Sequence, residues 1–168
     1  VIETIGGQGE SEGTFRFPTH LAIDDDGNFF VTDFLNFRVQ KFDAAGKFIR
    51  TIGEPGDFPG AMPRPKGIDV DRDGHLYVVD SAFEIVQIFD VTTGHALMPF
   101  GKFGSINGGT WLRAGIHIDY DNLAYFSEYL DPDFRAEYLI YVTNQAGPFK
   151  INVYAFGSYV GNSKTVGP

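Results

Sequence analysis

The sequence contains no cysteine in its 168 residues. Disulfide bonds, thiolate metal sites, a cysteine nucleophile and covalent haem attachment through this chain are therefore excluded. Long apolar runs are also missing, because no stretch reaches the roughly 20 residues that a transmembrane helix needs. We therefore expect no insertion of this chain into a membrane.

Positive charge is scarce as well. The chain has 13 Lys and Arg against 22 Asp and Glu, a formal net charge of −9, and no dense cluster of basic residues. The phosphate backbone would be repelled on average, so we expect no nucleic-acid partner. Helical patterning is also lacking, because no long segment combines a 3.6-residue apolar period with capping signals. We expect almost no helix.

Aromatic residues and glycine are abundant, with 17 Phe and 21 Gly. This pairing suits a sheet protein with many turns. The clearest unit is residues 17–53, FPTHLAIDDDGNFFVTDFLNFRVQKFDAAGKFIRTIG, in which three turn signals separate four short apolar runs. The gaps are too short for helices. A four-stranded antiparallel meander of this length is one blade of a β-propeller, so the sequence predicts an all-β fold.

A second copy of the unit follows within Gly67–Gly101. Aligning Ile23 with Ile68 and Gly53 with Gly101 gives offsets of 45 and 48 residues, a spacing typical of propeller blades.

A third, more divergent copy ends at Gly157. In it Gly115 corresponds to Gly67, Asp119 to Asp71 and Tyr125 to Tyr77. The segment LDPDFRAEY interrupts this copy, and we place it as an insertion between the second and third strands.

The predicted organisation is therefore one propeller segment over residues 1–168. Its blades are placed at about 17–53, 64–101 and 111–157. The opening VIETIG, residues 1–6, matches the end of the first copy and is predicted to be the last strand of a preceding blade.

The aligned copies resemble the NHL-repeat family of β-propellers. The residues that carry the resemblance in the first copy are Pro18, LAID at 21–24, Gly27, Asn28, FVTD at 30–33, Asn36, Arg38, Val39, Gln40, Phe42, Asp43, Gly46 and Phe48. The second copy keeps YVVD at 77–80 but has Phe83 and Ile85 where the family has Asn and Arg. The resemblance implies a six-bladed ring in the commonest case. It also implies a family of protein-binding and RNA-binding platforms with a few enzymes.

Three predicted blades fall short of six. An open arc would expose two apolar blade faces, which soluble monomers rarely tolerate. Three explanations remain open: the chain is part of a longer one, the arc closes against another chain or a second copy, or the form is small and irregular.

Acidic turns recur once per copy, at DDDGN (24–28), DRDGH (71–75) and DYDN (119–122). Alternating Asp before Gly resembles a calcium loop, but the Glu expected at the twelfth position is absent. Asp that accepts backbone N–H bonds in a tight turn explains the same pattern. We therefore predict turns and no cofactor, with calcium as the weaker alternative.

Four histidines are scattered along the chain, His20, His75, His95 and His117, and no pair has metal-ligand spacing. A propeller channel could bring distant histidines together, and some enzymes of the resembled family use histidines there. No Gly-x-Ser-x-Gly nucleophile motif occurs. We predict no catalytic residues and no metal ligands.

The long irregular connections are predicted to share one face of the arc, the loop-rich face, at 7–17, 34–37, 54–66, 81–84, 102–114 and 129–138. Exposed aromatics with arginine are typical of protein-binding anchors. The predicted partner-binding residues are Phe34, Phe83, Trp111, Arg113, Tyr129, Phe134 and Arg135.

The sequence thus predicts a non-catalytic scaffold subunit that mediates protein–protein assembly through its loop-rich face. Its partner would be a second copy or another protein that completes the propeller. The alternatives are a metal-dependent lyase or hydrolase that uses channel histidines, and a nucleic-acid-binding platform. The resemblance implies a periplasmic or extracellular location and an electron-transfer protein as one kind of partner.

Overall fold

The computed structural model describes residues 1–103, 109, 110 and 112–160. Antiparallel sheets dominate these residues, which confirms the all-β prediction. Helix is confined to short segments: a 3₁₀ turn at Phe34–Asn36, α1 at Leu123–Phe126 and a 3₁₀ turn at Ser127–Tyr129. In the described part of the chain, no helix has the length and apolar character needed to cross a membrane.

The first sheet, blade 1, corresponds to the predicted unit 17–53. Its four strands lie side by side in chain order: β1 (Pro18–Ile23), β2 (Phe29–Asp33), β3 (Arg38–Phe42) and β4 (Phe48–Ile52). The β1–β2 turn needs glycine at Gly27, which has a φ of 81°.

The second sheet, blade 2, repeats this order with β5 (Pro65–Val70), β6 (His75–Asp80), β7 (Ile85–Asp90) and β8 (Ala96–Phe100). Pro65 pairs with Asp80 and Ile68 with Val78, as Pro18 pairs with Asp33 and Leu21 with Val31. The counterpart of Ile68 is therefore Leu21, and the alignment of Ile68 with Ile23 was wrong by two residues. A two-residue slip keeps every side chain on the same sheet face, so the apolar pattern alone could not reveal it.

The connection to the third sheet includes a short parallel pair, β9 (Lys102–Phe103) with β10 (Gly109–Thr110). Blade 3 then consists of three described strands: β11 (Arg113–Asp119), β12 (Phe134–Asn144) and β13 (Ile151–Tyr159).

Blade 3 corrects the predicted strand assignment. His117 pairs with Tyr141 as Asp69 pairs with Tyr77, so the counterpart of Tyr77 is Tyr141 and not Tyr125. The additional residues therefore lie between the first and second strands, and the supposed insertion contributes the beginning of β12. Aromatic content favoured a strand around Tyr125, but that signal depends on context. Here the Tyr125 N–H closes a local turn on the Asn122 carbonyl.

Residues 1–6 are exposed and form no strand. A strand needs a hydrogen-bonded neighbour, and no described strand pairs with them. Their assignment to a preceding blade stays a prediction.

The apolar core lies between the sheets. Blades 1 and 2 share one cluster, which includes Phe30 and Val39 of blade 1 with Leu76 and Phe89 of blade 2. Blades 2 and 3 share a second cluster of the same kind. Each sheet is therefore stabilised chiefly by the neighbour that covers its face.

Candidate functional site

One face of blade 1 has no neighbouring sheet among the described residues. We call it the leading face and define it by Leu21, Ile23, Phe29, Val31 and Phe42, whose positions are matched in the sheet register. Phe42 is covered, because Phe15 and Phe48 pack on it along with Phe29. Leu21 and Ile23 are more than half exposed. The leading face is thus an apolar surface that is only partly covered.

The equivalent face of blade 2 is buried. Ile68 is 5% exposed and its counterpart Leu21 is 57% exposed, although both side chains are large and aliphatic. Val78 is fully buried, whereas its counterpart Val31 is partly exposed. The difference arises because blade 1 covers blade 2. The leading face therefore has the chemistry of an inter-blade surface.

The outward face of blade 3 is less apolar. Ile151 and Val153 on β13 are exposed, but His117 and Thr143 lie there as well. Part of this face is covered, because the Phe126 ring of α1 lies 6.1 Å from the Tyr141 ring.

A glutamine in each of the first two blades fixes the loop that precedes the blade. Gln40 accepts a hydrogen bond from the Gly13 N–H and donates to the Thr14 carbonyl. Gln87 accepts one from the Gly60 N–H and donates to the Ala61 carbonyl. The long connections are thereby held on the scaffold.

A buried carboxylate organises the end of β2. Asp33 Oδ2 accepts hydrogen bonds from Asn36 Nδ2 at 2.8 Å and from Arg38 Nε at 2.9 Å, and Oδ1 accepts one from the Arg16 N–H. Among the described residues, the donors to Asp80 are all backbone N–H groups, from Arg64 and from the turn after β6. The Asn and Arg of the first repeat therefore satisfy a buried charge.

Phe83 lines an apolar cleft of about 340 Å³ at the outer edge of blade 2. Other lining side chains are Phe58 from the inter-blade connection and Leu97 and Met98 from the edge strand β8. Leu97 is 51% and Met98 53% exposed. The sequence prediction assigned Phe83 and the 54–66 connection to the loop-rich face and missed Leu97 and Met98, since only the fold brings residues 58, 83 and 97 together.

Phe34 lies elsewhere, in a pocket of about 230 Å³ where the three blades meet. We call it the channel-mouth pocket, and its lining residues are Phe17, Thr19, His20, Phe34, Lys66, Ala114 and Gln145. Lys66 Nζ donates a hydrogen bond to Gln145 Oε1 at 3.1 Å. Burial lowers the pKa of His20, and the Lys66 charge lowers it further.

Tyr129, Phe134 and Arg135 do not share a face with Phe34 and Phe83. Tyr129 lies within the β11–β12 connection, and Phe134 and Arg135 begin β12 directly after it. That connection lies on the side of the sheet that carries the acidic turns. Their placement on the loop-rich face was wrong, because the additional residues were put after the second strand. Tyr129 is exposed, while the Phe134 ring lies 5.2 Å from the Tyr159 ring.

Arg113 is fully buried, so its prediction as an exposed anchor was wrong. Its guanidinium donates to the Phe100 carbonyl at 3.4 Å and packs on Gly101. Burial lowers the pKa of Arg113, and the charges of Tyr154 and Glu84 partly offset that effect. The other anchor of this loop, Trp111, lies outside the described residues.

The acidic segments form the predicted turns. Asp24 Oδ1 accepts hydrogen bonds from the N–H groups of Asp26 and Asn28, and Asp71 Oδ1 from those of Asp73 and His75. These oxygens are therefore engaged by the backbone. In the described part of the chain, no group of three His, Asp or Glu side chains has the arrangement of a metal site.

The histidines do not converge in the channel. His75 Nδ1 lies 2.9 Å from Asp71 Oδ2, and His117 Nδ1 lies 3.1 Å from Asp69 Oδ2. Asp71 Oδ2 also accepts hydrogen bonds from the hydroxyls of Tyr77 and Tyr138. Sequence reasoning missed this polar cluster, because Tyr138 was assigned to an insertion.

Comparison with known proteins identifies the fold family of the chain. A family profile described as "6-bladed beta-propeller" matches residues 5–165. A search of curated proteins finds no match.

The solved structures that resemble the chain include the following two. Hydrazine synthase of Kuenenia stuttgartiensis matches with a TM-score of 0.57 and 19% identity, over 82% of this chain and 32% of that one. Virginiamycin B lyase of Staphylococcus aureus matches with a TM-score of 0.44 and 17% identity, over 59% of this chain and 30% of that one. The chain thus spans about a third of the length of these solved chains. At 19% identity, the likeness to hydrazine synthase concerns the fold alone.

Proposed function

The chain belongs to the family of six-bladed β-propellers, and from that premise we propose that it is a non-catalytic binding subunit that assembles with further blade surfaces. The main support for this proposal is the exposed leading face of blade 1. Leu21 and Ile23 occupy the positions that Ile68 and Val70 occupy in blade 2, where a neighbouring blade covers them.

The surface that fits the leading face is another four-stranded blade. Phe15 already packs beside Phe42 there. Met62 is its counterpart, because the Met62 N–H binds the Glu54 carbonyl as the Phe15 N–H binds the Gly7 carbonyl, and Met62 packs in the cluster between blades 1 and 2. Burying aliphatic surface is worth about 25 cal/mol per Å², so covering Leu21 and Ile23 would contribute favourably. A second copy or another protein could supply the blade, and either would act as an assembly partner.

The loop-rich face would then present the cleft of Phe58, Phe83 and Met98 to a further protein. Aromatic and Met side chains are enriched at the anchors of protein interfaces. The edge strand β8 borders the cleft, and an edge strand can also bind an extended peptide through its backbone.

Within the propeller family, we propose that the repeats are of the NHL type. Support comes from Asp33, whose buried carboxylate binds both Asn36 and Arg38. These are residues on which the resemblance rests.

The test is the mass of the purified protein in solution, measured by analytical ultracentrifugation over a range of concentrations. We expect a defined assembly heavier than one chain, and we expect Leu21→Asp to weaken it at least tenfold, because a carboxylate would be buried at the new interface. Ile49→Asp is the matched control, since Ile49 is exposed on the outer strand β4.

A folded monomer at every concentration, unaffected by Leu21→Asp, would overturn the proposal. Equal weakening by Leu21→Asp and Ile49→Asp would also overturn it, because the effect would then not belong to the leading face. The sequence alternatives, a metal-dependent lyase or hydrolase and a nucleic-acid platform, receive no specific support from the described residues.

A further inference from the structure

The channel-mouth pocket is lined by a positively charged side chain, Lys66, although the protein is acidic. The chain carries a net charge of −9, yet Lys66 has no carboxylate within ion-pair distance among the described residues. Its side chain donates to the neutral amide of Gln145. Lys66 is also particular to blade 2, because the equivalent positions are Thr19 in blade 1 and Ala114 in blade 3. The blade structure therefore does not require a positive charge at this position.

The blades are arranged so that Lys66 meets residues from its neighbours. Gly67 lets β5 and β11 approach closely, since a Cβ there would lie 2.6 Å from the Ala114 carbonyl oxygen. The Thr32 hydroxyl of blade 1 donates to the Lys66 carbonyl at 2.8 Å and holds that backbone from the other side. The backbone that carries Lys66 is thus held in contact with blades 1 and 3.

Two aromatic side chains form an apolar wall of the same pocket. The rings of Phe17 and Phe34 lie 6.2 Å apart in a tilted arrangement. Phe17 has a φ of 64°, in the left-handed region, and its carbonyl accepts a hydrogen bond from the Phe34 N–H. This conformation costs a non-glycine residue free energy, and such strain concentrates at functional sites. Phe17 is 66% exposed and lines the pocket.

From this arrangement we infer that the channel-mouth pocket binds a small organic carboxylate. The carboxylate accepts hydrogen bonds from Lys66 Nζ, and the apolar part of the molecule packs against Phe17 and Phe34. A single flexible ammonium suits one carboxylate, whereas phosphate recognition commonly uses bidentate arginine or several backbone N–H groups. The volume of about 230 Å³ restricts the ligand to a small molecule.

His20 gives the site a dependence on pH. Of the described residues that line the pocket, His20 and Lys66 are the titratable ones. Burial and the Lys66 charge lower the pKa of His20, and a bound carboxylate would raise it by offsetting that charge. By linkage, the affinity for a carboxylate rises as the pH falls through the pKa of His20, until the ligand itself becomes protonated.

The test uses phenylacetate as the probe and follows binding by calorimetry and by NMR. We expect phenylacetate to bind at least tenfold more tightly than phenylacetamide, which lacks the charge, and than acetate, which lacks the ring. Lys66→Gln should remove the preference for phenylacetate over phenylacetamide. Lys47→Gln makes the same charge change in the β3–β4 turn and should leave it intact.

A second measurement needs no substitution. Saturating phenylacetate should raise the midpoint of the His20 imidazole titration, while the His95 signals in the turn before β8 should not respond. Equal binding of phenylacetate and phenylacetamide, an unchanged preference in Lys66→Gln, or an unmoved His20 titration would each overturn the inference. None of these outcomes depends on the assembly state.

Discussion

The hydroxyl oxygens of Tyr77 and Tyr138 lie 2.5 Å apart across the interface of blades 2 and 3. Both hydroxyls also donate to Asp71 Oδ2, from 3.3 Å and 3.0 Å. Asp71 is buried, so its charge depends on these donors and on His75. The cluster links a turn of blade 2 to a strand of blade 3 and so couples the stability of the two sheets.

Tyr138→Phe should lower the free energy of unfolding by about 2 kcal/mol, because it removes one donor to a buried carboxylate. The aromatic ring is kept, so its stacking on Phe156 at 4.8 Å should survive. Chemical denaturation of the purified protein measures the difference.

Tyr125→Phe is the matched control for that experiment. Its side chain is 77% exposed, and we expect a change within about 0.5 kcal/mol. Equal effects of the two substitutions would show that the Asp71 cluster does not stabilise the interface.

The stability of the protein should fall at alkaline pH. Burial raises the pKa of Tyr77 and, more strongly, of Tyr138, with the nearby Asp71 charge adding to both shifts. Because the folded state holds these protons more tightly than the unfolded state, the contribution is constant below the ordinary tyrosine pKa of about 10 and is lost as the pH rises above it. Unfolding midpoints measured from pH 8 upward should decline beyond that point. The decline should be shallower in Tyr138→Phe, and an identical slope would contradict the explanation.

Asp33→Asn should lower the free energy of unfolding more than Asp80→Asn. Asp33 is buried with the Arg38 guanidinium at 2.9 Å, whereas Asp80 is buried with backbone donors and has Ile85 in the position of Arg38. Removing one partner of a buried ion pair costs about 3–5 kcal/mol, and losing the charge on a set of backbone hydrogen bonds costs about 1–2 kcal/mol. Denaturation of both variants checks the order, and the reverse order would assign the larger role to the turn after β6.

The sequence predicted blades 1 and 2 well because their signals are local. Apolar runs, Asp/Gly turns and the second-strand aspartates Asp33 and Asp80 recur at nearly constant spacing, and strand order in a meander follows chain order. Blade 3 departs from this pattern through the additional residues between β11 and β12. Since aromatic content alone distinguishes helix from strand poorly, the segment around Tyr125 was assigned to the wrong element.

The candidate sites were less predictable, since they depend on residues far apart in the chain. The cleft joins Phe58, Phe83 and Met98, and the pocket joins Phe34 and Lys66. The exposure of a side chain was equally hard to predict from the sequence, because a residue in a predicted loop can still be buried by a neighbouring blade.

Arg113 provides the sharpest test of that last point. Replacing it by Met keeps most of the volume but removes the charge beside Glu84 and the donor to the Phe100 carbonyl. We expect the free energy of unfolding to fall by about 3 kcal/mol, because Glu84 and the Phe100 carbonyl would lose the buried guanidinium beside them. Arg135→Met, on the exposed side of β12, should change it by less than about 0.5 kcal/mol. If Arg113→Met kept its stability and weakened assembly instead, Arg113 would be the binding residue that the sequence suggested, and its burial would have to be relieved in the assembled protein.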